Sequence, residues 1–163
     1  MKPFFFFLAS ALCGSSACGQ TPLPQNWVGA GAAWNQDAAP RANGWFSYAH
    51  LVHQGQALYL VSTTDITAVP APGLAGKRVQ TGARMGLATV LRQAGPFYFL
   101  AWADAGAALN PVAAGTQVLG AFAPAAIVVY RKRSFTVEFT YRHLMVAGQP
   151  SRDLPEGGIG WTY

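Results

Sequence analysis

The sequence predicts an all-β chain: an eight-stranded antiparallel up-and-down transmembrane β-barrel that follows a cleaved signal peptide. Three observations predict it: an apolar composition without a spanning helix, an alternation of short and long connections between alternating-pattern strands, and a last segment patterned as a committed strand. Only 10% of the 163 residues are charged, against roughly 25% in an average soluble domain. Mean hydropathy is +0.21. Six acids and eleven bases are too few to clothe a water-soluble domain of this length. No segment after the leader supplies the ~20 unbroken apolar residues that a membrane helix needs.

The leader is "MKPFFFFLASALCGSSACGQ". One base, Lys2, precedes an apolar run from Phe4 to Leu12 and then small residues, which is the layout of a secretory signal. Cleavage is expected after Ala17 or Gly19, giving residues 1–19 as signal peptide and 20–163 as one barrel domain. Cys13 follows Leu12 rather than a small residue, and Cys18 has no aliphatic residue three places before it, so ordinary cleavage is expected rather than acylation. Both cysteines lie in or beside the signal, leaving no pair for an intramolecular disulfide or a cysteine metal site.

Eight strands follow in order. They are expected at 26–34, 45–52, 57–69, 78–92, 97–107, 117–130, 135–146 and about 154–163. The connections "HQGQ" (53–56), "QAGP" (93–96) and "RKRS" (131–134) are tight, whereas those at 35–44, 70–77, 108–116 and 147–153 are longer and rich in Gly, Pro, Asn or Asp. Short periplasmic turns, longer external loops and an even strand number characterise outer-membrane barrels.

Each strand should then show one face to lipid. In the fourth, Val79, Thr81, Ala83, Met85, Leu87, Thr89 and Leu91 oppose Arg78, Gln80, Gly82, Arg84, Gly86, Ala88, Val90 and Arg92. In the seventh, Phe135, Val137, Phe139 and Tyr141 oppose Thr136, Glu138, Thr140 and Arg142. A slip of one residue would turn Arg84 and Glu138 into hydrocarbon, where a mid-bilayer base costs roughly 2–4 kcal/mol. The second and sixth strands are apolar on both faces and fix no orientation, and Pro124 in the sixth calls for a bulge or irregularity. Trp34 and Trp45 at the loop side, with Phe97, Tyr130, Phe135 and Tyr163 at the turn side, read as two interfacial belts.

The inward set is Asp65, Arg78, Arg84, Asp104, Glu138 and Arg142, charges of both signs that could form a lumen ion-pair network. An eight-stranded barrel has an interior that side chains just fill, so an open porin is not expected. The last segment, "EGGIGWTY", places Ile159, Trp161 and Tyr163 at every second position. Its strand is expected to pair with the first and so remove both sheet edges.

With these strands, turns and terminal residues, the mature chain resembles the small eight-stranded outer-membrane β-barrels of the OmpA-like class. That resemblance implies a Gram-negative outer-membrane location, contact with outer-membrane lipid and lipopolysaccharide, and a monomer. It also implies that Ile159, Trp161 and Tyr163 form the assembly signal read by the barrel-insertion machinery. A shorter segment, "HLMVAG" (143–148), resembles the H-x-S-N-A-G motif of the lipid A deacylase barrels. There the His and the Ser two residues later act as base and nucleophile, aided by an acid, for which Glu156 is the candidate here. Met145 stands at the serine position and Val146 at the asparagine. A methionine has no proton to give up and cannot attack an ester, so this match implies an inactive relative.

The leading expectation is a structural or surface-interaction barrel without enzymatic chemistry. The alternatives are the inactive deacylase relative and a soluble periplasmic ligand-binding barrel. No cofactor is expected, since no phosphate-binding glycine loop stands out, and His50 and His53 without neighbouring acids are a weak metal signal. Dispersed bases, with one short run at 131–133, give no reason to expect nucleic acid.

Overall fold

The computed structural model describes residues 22–34, 42–54, 58–70, 77–112 and 115–163, with the side chains of 42, 68–70, 77–79 and 110–112 excepted. The expected signal peptide, Cys13 and Cys18 lie outside the described residues. Eight strands are present: β1 (Asn26–Trp34), β2 (Ala42–His53), β3 (Leu58–Pro70), β4 (Lys77–Ala94), β5 (Phe97–Val112), β6 (Gly115–Lys132), β7 (Phe135–Val146) and β8 (Arg152–Thr162). They form a closed antiparallel barrel in sequence order.

Closure occurs at the β1–β8 seam, where Trp27 pairs with Thr162 and the register runs to Ala33 opposite Glu156. Two backbone bonds lock its lower end, Asn26 N to Tyr163 O at 3.1 Å and Tyr163 N to Asn26 O at 3.2 Å. Two glycines of the seam make room for a ring that lies on it. A Cβ added at Gly158 would come within 2.6 Å of the Trp45 ring, and one at Gly29 within 3.1 Å. Trp45 therefore points into the lumen, and the expectation that it belongs to the loop-side belt is overturned. The remaining belt rings do face outward: Trp34, Phe97, Phe135 and Tyr163 are exposed, and Tyr130 packs against Phe97 with centroids 5.3 Å apart.

The second and sixth strands, which no face pattern oriented, are now assigned. β2 turns Trp45, Ser47, Ala49 and Leu51 inward, and β6 turns Ala121, Ala123, Ala125, Ile127 and Val129 inward. Pro124 needs no bulge. The β6–β7 pairing omits Ala123 and Pro124, while the register is the same on either side, Phe122 opposite Met145 and Ala125 opposite Arg142. The ladder is interrupted there because proline has no N–H to donate. That gap is the local irregularity expected at Pro124, and a bulge occurs instead in β4, between Val90 and Arg92. The extra residue, Leu91, reverses the alternation after it. Arg92 consequently lies exposed opposite the outward Phe99, not in the lumen as the simple alternation predicts.

The connection expected as a long loop at 108–116 is instead a tight one. Asn110, Pro111 and Val112 continue β5, pairing with Gln117, Thr116 and Gly115. β7 ends at Val146 opposite Ala121, while β6 carries on through 115–120. At about 3.3 Å per residue, the β5–β6 hairpin overreaches the end of β7 by about 20 Å.

Inside and outside differ as a spanning barrel requires. Met85, Phe139, Ile159 and Trp161 are each more than half exposed on the outer wall. The turn-side half of the lumen is an apolar plug in which Val61, Val90 and Leu100 are 1% exposed and Leu51 and Val129 are 2% exposed. Burying each such side chain contributes roughly 1.5–3 kcal/mol. Residues 22–25 stopper this mouth: Leu23 is buried and its N–H donates to Tyr59 Oη at 2.9 Å, while Leu51 N donates to Gln25 O at 2.7 Å.

Candidate functional site

Above the plug, β3, β4 and β5 each turn one charged residue inward at neighbouring heights. Asp65 stands opposite Gly82, Arg84 opposite Gly106, and Asp104 opposite Gly86. Arg84 bridges both acids, Nη1 to Asp65 Oδ1 at 2.9 Å and Nε to Asp104 Oδ1 at 2.9 Å. The other oxygen of Asp104 accepts from Thr63 Oγ1 at 2.8 Å and Trp102 Nε1 at 3.1 Å. Gly82 leaves room for this pair, because a Cβ at that position would crowd the Asp65 carboxylate and the Arg84 guanidinium and make their ends shift.

A second pair closes the far side. Arg142 Nη2 lies 3.2 Å from Glu156 Oε2. Of the six residues assigned to the lumen from sequence, the structure thus brings Asp65, Arg84 and Asp104 into one ion cluster. It gives Arg142 a partner the assignment omitted, Glu156. Glu138 lines the same cavity, is 8% exposed and makes no hydrogen bond or ion pair among the described residues. Arg78 occupies β4 opposite Val69, and its side chain lies outside the described residues.

Two small cavities flank the charges. One, of ≈ 60 Å³, is walled by Trp27, Trp45, Trp102 and Glu138, among others. The other, of ≈ 50 Å³, lies toward the loop end beside Asn43, Gln80 and Arg152. Asp65, Arg84, Arg142 and Glu156 border both. Each has room for water. Such space suits hydration of buried charge, and the apolar plug lies on its turn side.

The outer wall carries its own polar contacts. His143 Nδ1 lies 2.6 Å from Asp153 Oδ1 across the β7–β8 ladder, and Tyr141 also engages Asp153. Glu156, the acid expected to serve His143, faces the lumen on Arg142, so the wall separates the two. Met145, two residues after His143, shares its outward face and offers no nucleophile. At the turn end Tyr48 Oη donates to Asn26 Oδ1 at 2.8 Å, and His50 Nδ1 lies 2.9 Å from the same oxygen. His53 shares the face of Leu51 and rests on Tyr59, with centroids 5.0 Å apart. His50 and His53 therefore lie on opposite faces of β2.

Ile159 and Trp161 point outward from β8 and, with Tyr163, are exposed by 59%, 56% and 66%. They stand opposite apolar neighbours on both sides: Ile159 against Val137 and Ala30, Trp161 against Phe135 and Val28.

No family model and no curated protein sequence matches the chain. Solved structures do. The chain is similar to the Yersinia pestis outer membrane protein Ail in a phospholipid bilayer nanodisc, with 9% identity, TM-score 0.51, and coverage of 86% of this chain and 100% of that one. A crystal structure of Ail, the attachment invasion locus protein of Yersinia pestis, matches with 10% identity, TM-score 0.47, and coverage of 86% and 100%. The likeness is one of fold: the closed eight-stranded barrel is that of a small outer-membrane β-barrel.

Proposed function

We propose that the protein is an outer-membrane β-barrel with a surface-interaction role, working through its loop end rather than through its lumen. The observation that carries this reading is the β5–β6 hairpin, held by an unbroken ladder to Val112 opposite Gly115 and rising about 20 Å past β7. A rigid hairpin presents a preorganised surface, which lowers the ordering cost of binding. Below it the lumen is filled by ion pairs and then by the apolar plug. In this reading the barrel is a monomer, with outer-membrane lipid and lipopolysaccharide around its wall. Ile159, Trp161 and Tyr163 serve its assembly by the insertion machinery, and residues 1–19 serve its export.

The test joins location to orientation. Membrane fractions run in SDS with and without boiling should show a heat-dependent mobility shift. A single Thr116→Cys substitution should label with an impermeant maleimide on intact cells. A soluble protein without the shift would favour a periplasmic binding barrel, and labelling only after lysis would invert the proposed orientation. Lipid A recovered with and without expression should carry the same number of acyl chains, as the Met145 position implies.

A further inference from the structure

The turn end offers a second surface. Lys132, Arg133 and Ser134 form the β6–β7 turn, and with Phe135 and Trp161 they line an open groove of ≈ 530 Å³ on the outer wall. Lys132 and Arg133 are exposed, whereas Arg131 is engaged, its Nε donating to Arg133 O at 3.0 Å and its Nη1 to Pro22 O at 3.5 Å. Phe135 and Trp161 lie opposite each other in the ladder, 39% and 56% exposed, and form the apolar floor. Two cations thus stand at the edge of an aromatic patch that belongs to the membrane face.

The backbone adds an independent sign. Arg133 has φ 56, the only positive value at a non-glycine residue among those described. The β4–β5 turn puts the same conformation on Gly95, with φ 58. Each residue comes first in its two-residue turn, Gly95–Pro96 and Arg133–Ser134. Glycine adopts this region at no steric cost, whereas a side chain is strained there. An arginine where the sister turn has glycine costs the fold something, and its guanidinium is what that cost retains.

We infer that this groove binds the headgroup of an anionic phospholipid in the leaflet at the turn end. The guanidinium of Arg133 can take two phosphate oxygens side by side. Lys132 adds a point charge, and Trp161 and Phe135 cover the glycerol backbone and the first acyl carbons. A zwitterionic headgroup brings its own ammonium into the same basic rim and is the poorer match. A free phosphate gains nothing from the aromatic floor. The inference rests on the membrane-spanning reading proposed above.

The experiment is native mass spectrometry of the full barrel in a neutral detergent, titrated with phosphatidylglycerol or phosphatidylethanolamine, and with glycerol 3-phosphate as a headgroup-only competitor. Folding is checked on each sample by cold-SDS mobility. Wild type should retain one phosphatidylglycerol in preference to phosphatidylethanolamine. Arg133→Gly relieves the strained backbone, so it should keep the folded mobility while binding phosphatidylglycerol roughly tenfold more weakly, the scale of one lost charged contact. Lys132→Gln leaves the turn conformation untouched and should weaken binding in the same direction. Equal retention of the two lipids, undiminished binding by both variants, or displacement by equimolar glycerol 3-phosphate would overturn the lipid site. A wild-type chain with no folded cold-SDS form would instead overturn the membrane-spanning reading, and the site with it.

Discussion

Replacing Arg84 with methionine keeps an unbranched side chain in place and removes the charge that faces two carboxylates. The side chains of Arg84 and Asp104 are each 4% exposed and that of Asp65 is 17% exposed, so little water reaches them. Deleting one partner of a buried ion pair costs about 3–5 kcal/mol. Asp65 and Asp104 each approach Arg84 to 2.9 Å, on separate nitrogens of one guanidinium. Without that cation, the two carboxylates are left unpaired and repel each other in a site that little water reaches. The expected loss is therefore about 3–5 kcal/mol near neutral pH. The neutral triple variant Asp65→Asn, Arg84→Met, Asp104→Asn should recover most of it and fall within about 1–2 kcal/mol of wild type, because removing a whole buried ion cluster is often close to neutral. An asparagine at 104 still offers an oxygen to Thr63 and Trp102. Urea unfolding of the barrel refolded into zwitterionic vesicles, followed by tryptophan fluorescence, measures all three proteins. If the triple variant is as unstable as Arg84→Met, charge compensation is not what Arg84 provides and the reasoning fails.

Three further outcomes follow from the same geometry. Gly82→Val should destabilise the barrel by about 1–3 kcal/mol or more, as overpacking does, since even a Cβ there overlaps the Asp65–Arg84 pair; the same unfolding assay reads it. Arg142→Ala should cost more than Glu138→Gln, because Arg142 leaves Glu156 without its ion pair whereas Glu138→Gln removes a buried charge that has no paired partner; a larger loss for Glu138→Gln would contradict this assignment. Tyr163→Ala should lower the amount of assembled barrel in cells while purified protein still refolds in detergent, since an assembly role is read by the machinery and not by the closed structure; heat-shift gels on both preparations distinguish the two.

How far the sequence carries depends on how cleanly each strand alternates. β7 is legible because apolar and polar residues alternate strictly from Phe135 to Arg142 after a basic turn. The β5–β6 connection is not, since Asn110, Pro111 and Gly115 are turn formers by local preference, and only pairing with each other keeps them in a ladder. The bulge at Leu91 leaves no trace in "ATVLRQ", so Arg92 was put on the wrong face. Trp45 sits in a strand apolar on both sides, and its direction is set by glycines far away in sequence, at 29 and 158. Glu156 is a lumen charge that the alternation of Ile159, Trp161 and Tyr163, carried back along the strand, already places on the inward face; Pro155, Gly157 and Gly158 around it obscure that pattern, and its partner Arg142 makes it plain.

The lumen divides its work along its length, and the division bears on function. At the turn end, the apolar layer of Leu51, Val61, Val90, Leu100 and Val129 is closed from below by Leu23. An ion crossing that layer would shed its hydration among apolar side chains, with no charged group among those named to replace it, a cost of several kilocalories per mole or more. At the loop end the wall is charged and borders cavities of ≈ 60 and ≈ 50 Å³, which give the charges there room for hydration. Ion pairs in that half tie β3, β4 and β5 together and join β7 to β8, bracing the wall beneath the hairpin. Rigidity made inside is therefore delivered to the loop end, which is the end that the proposed surface-interaction role uses.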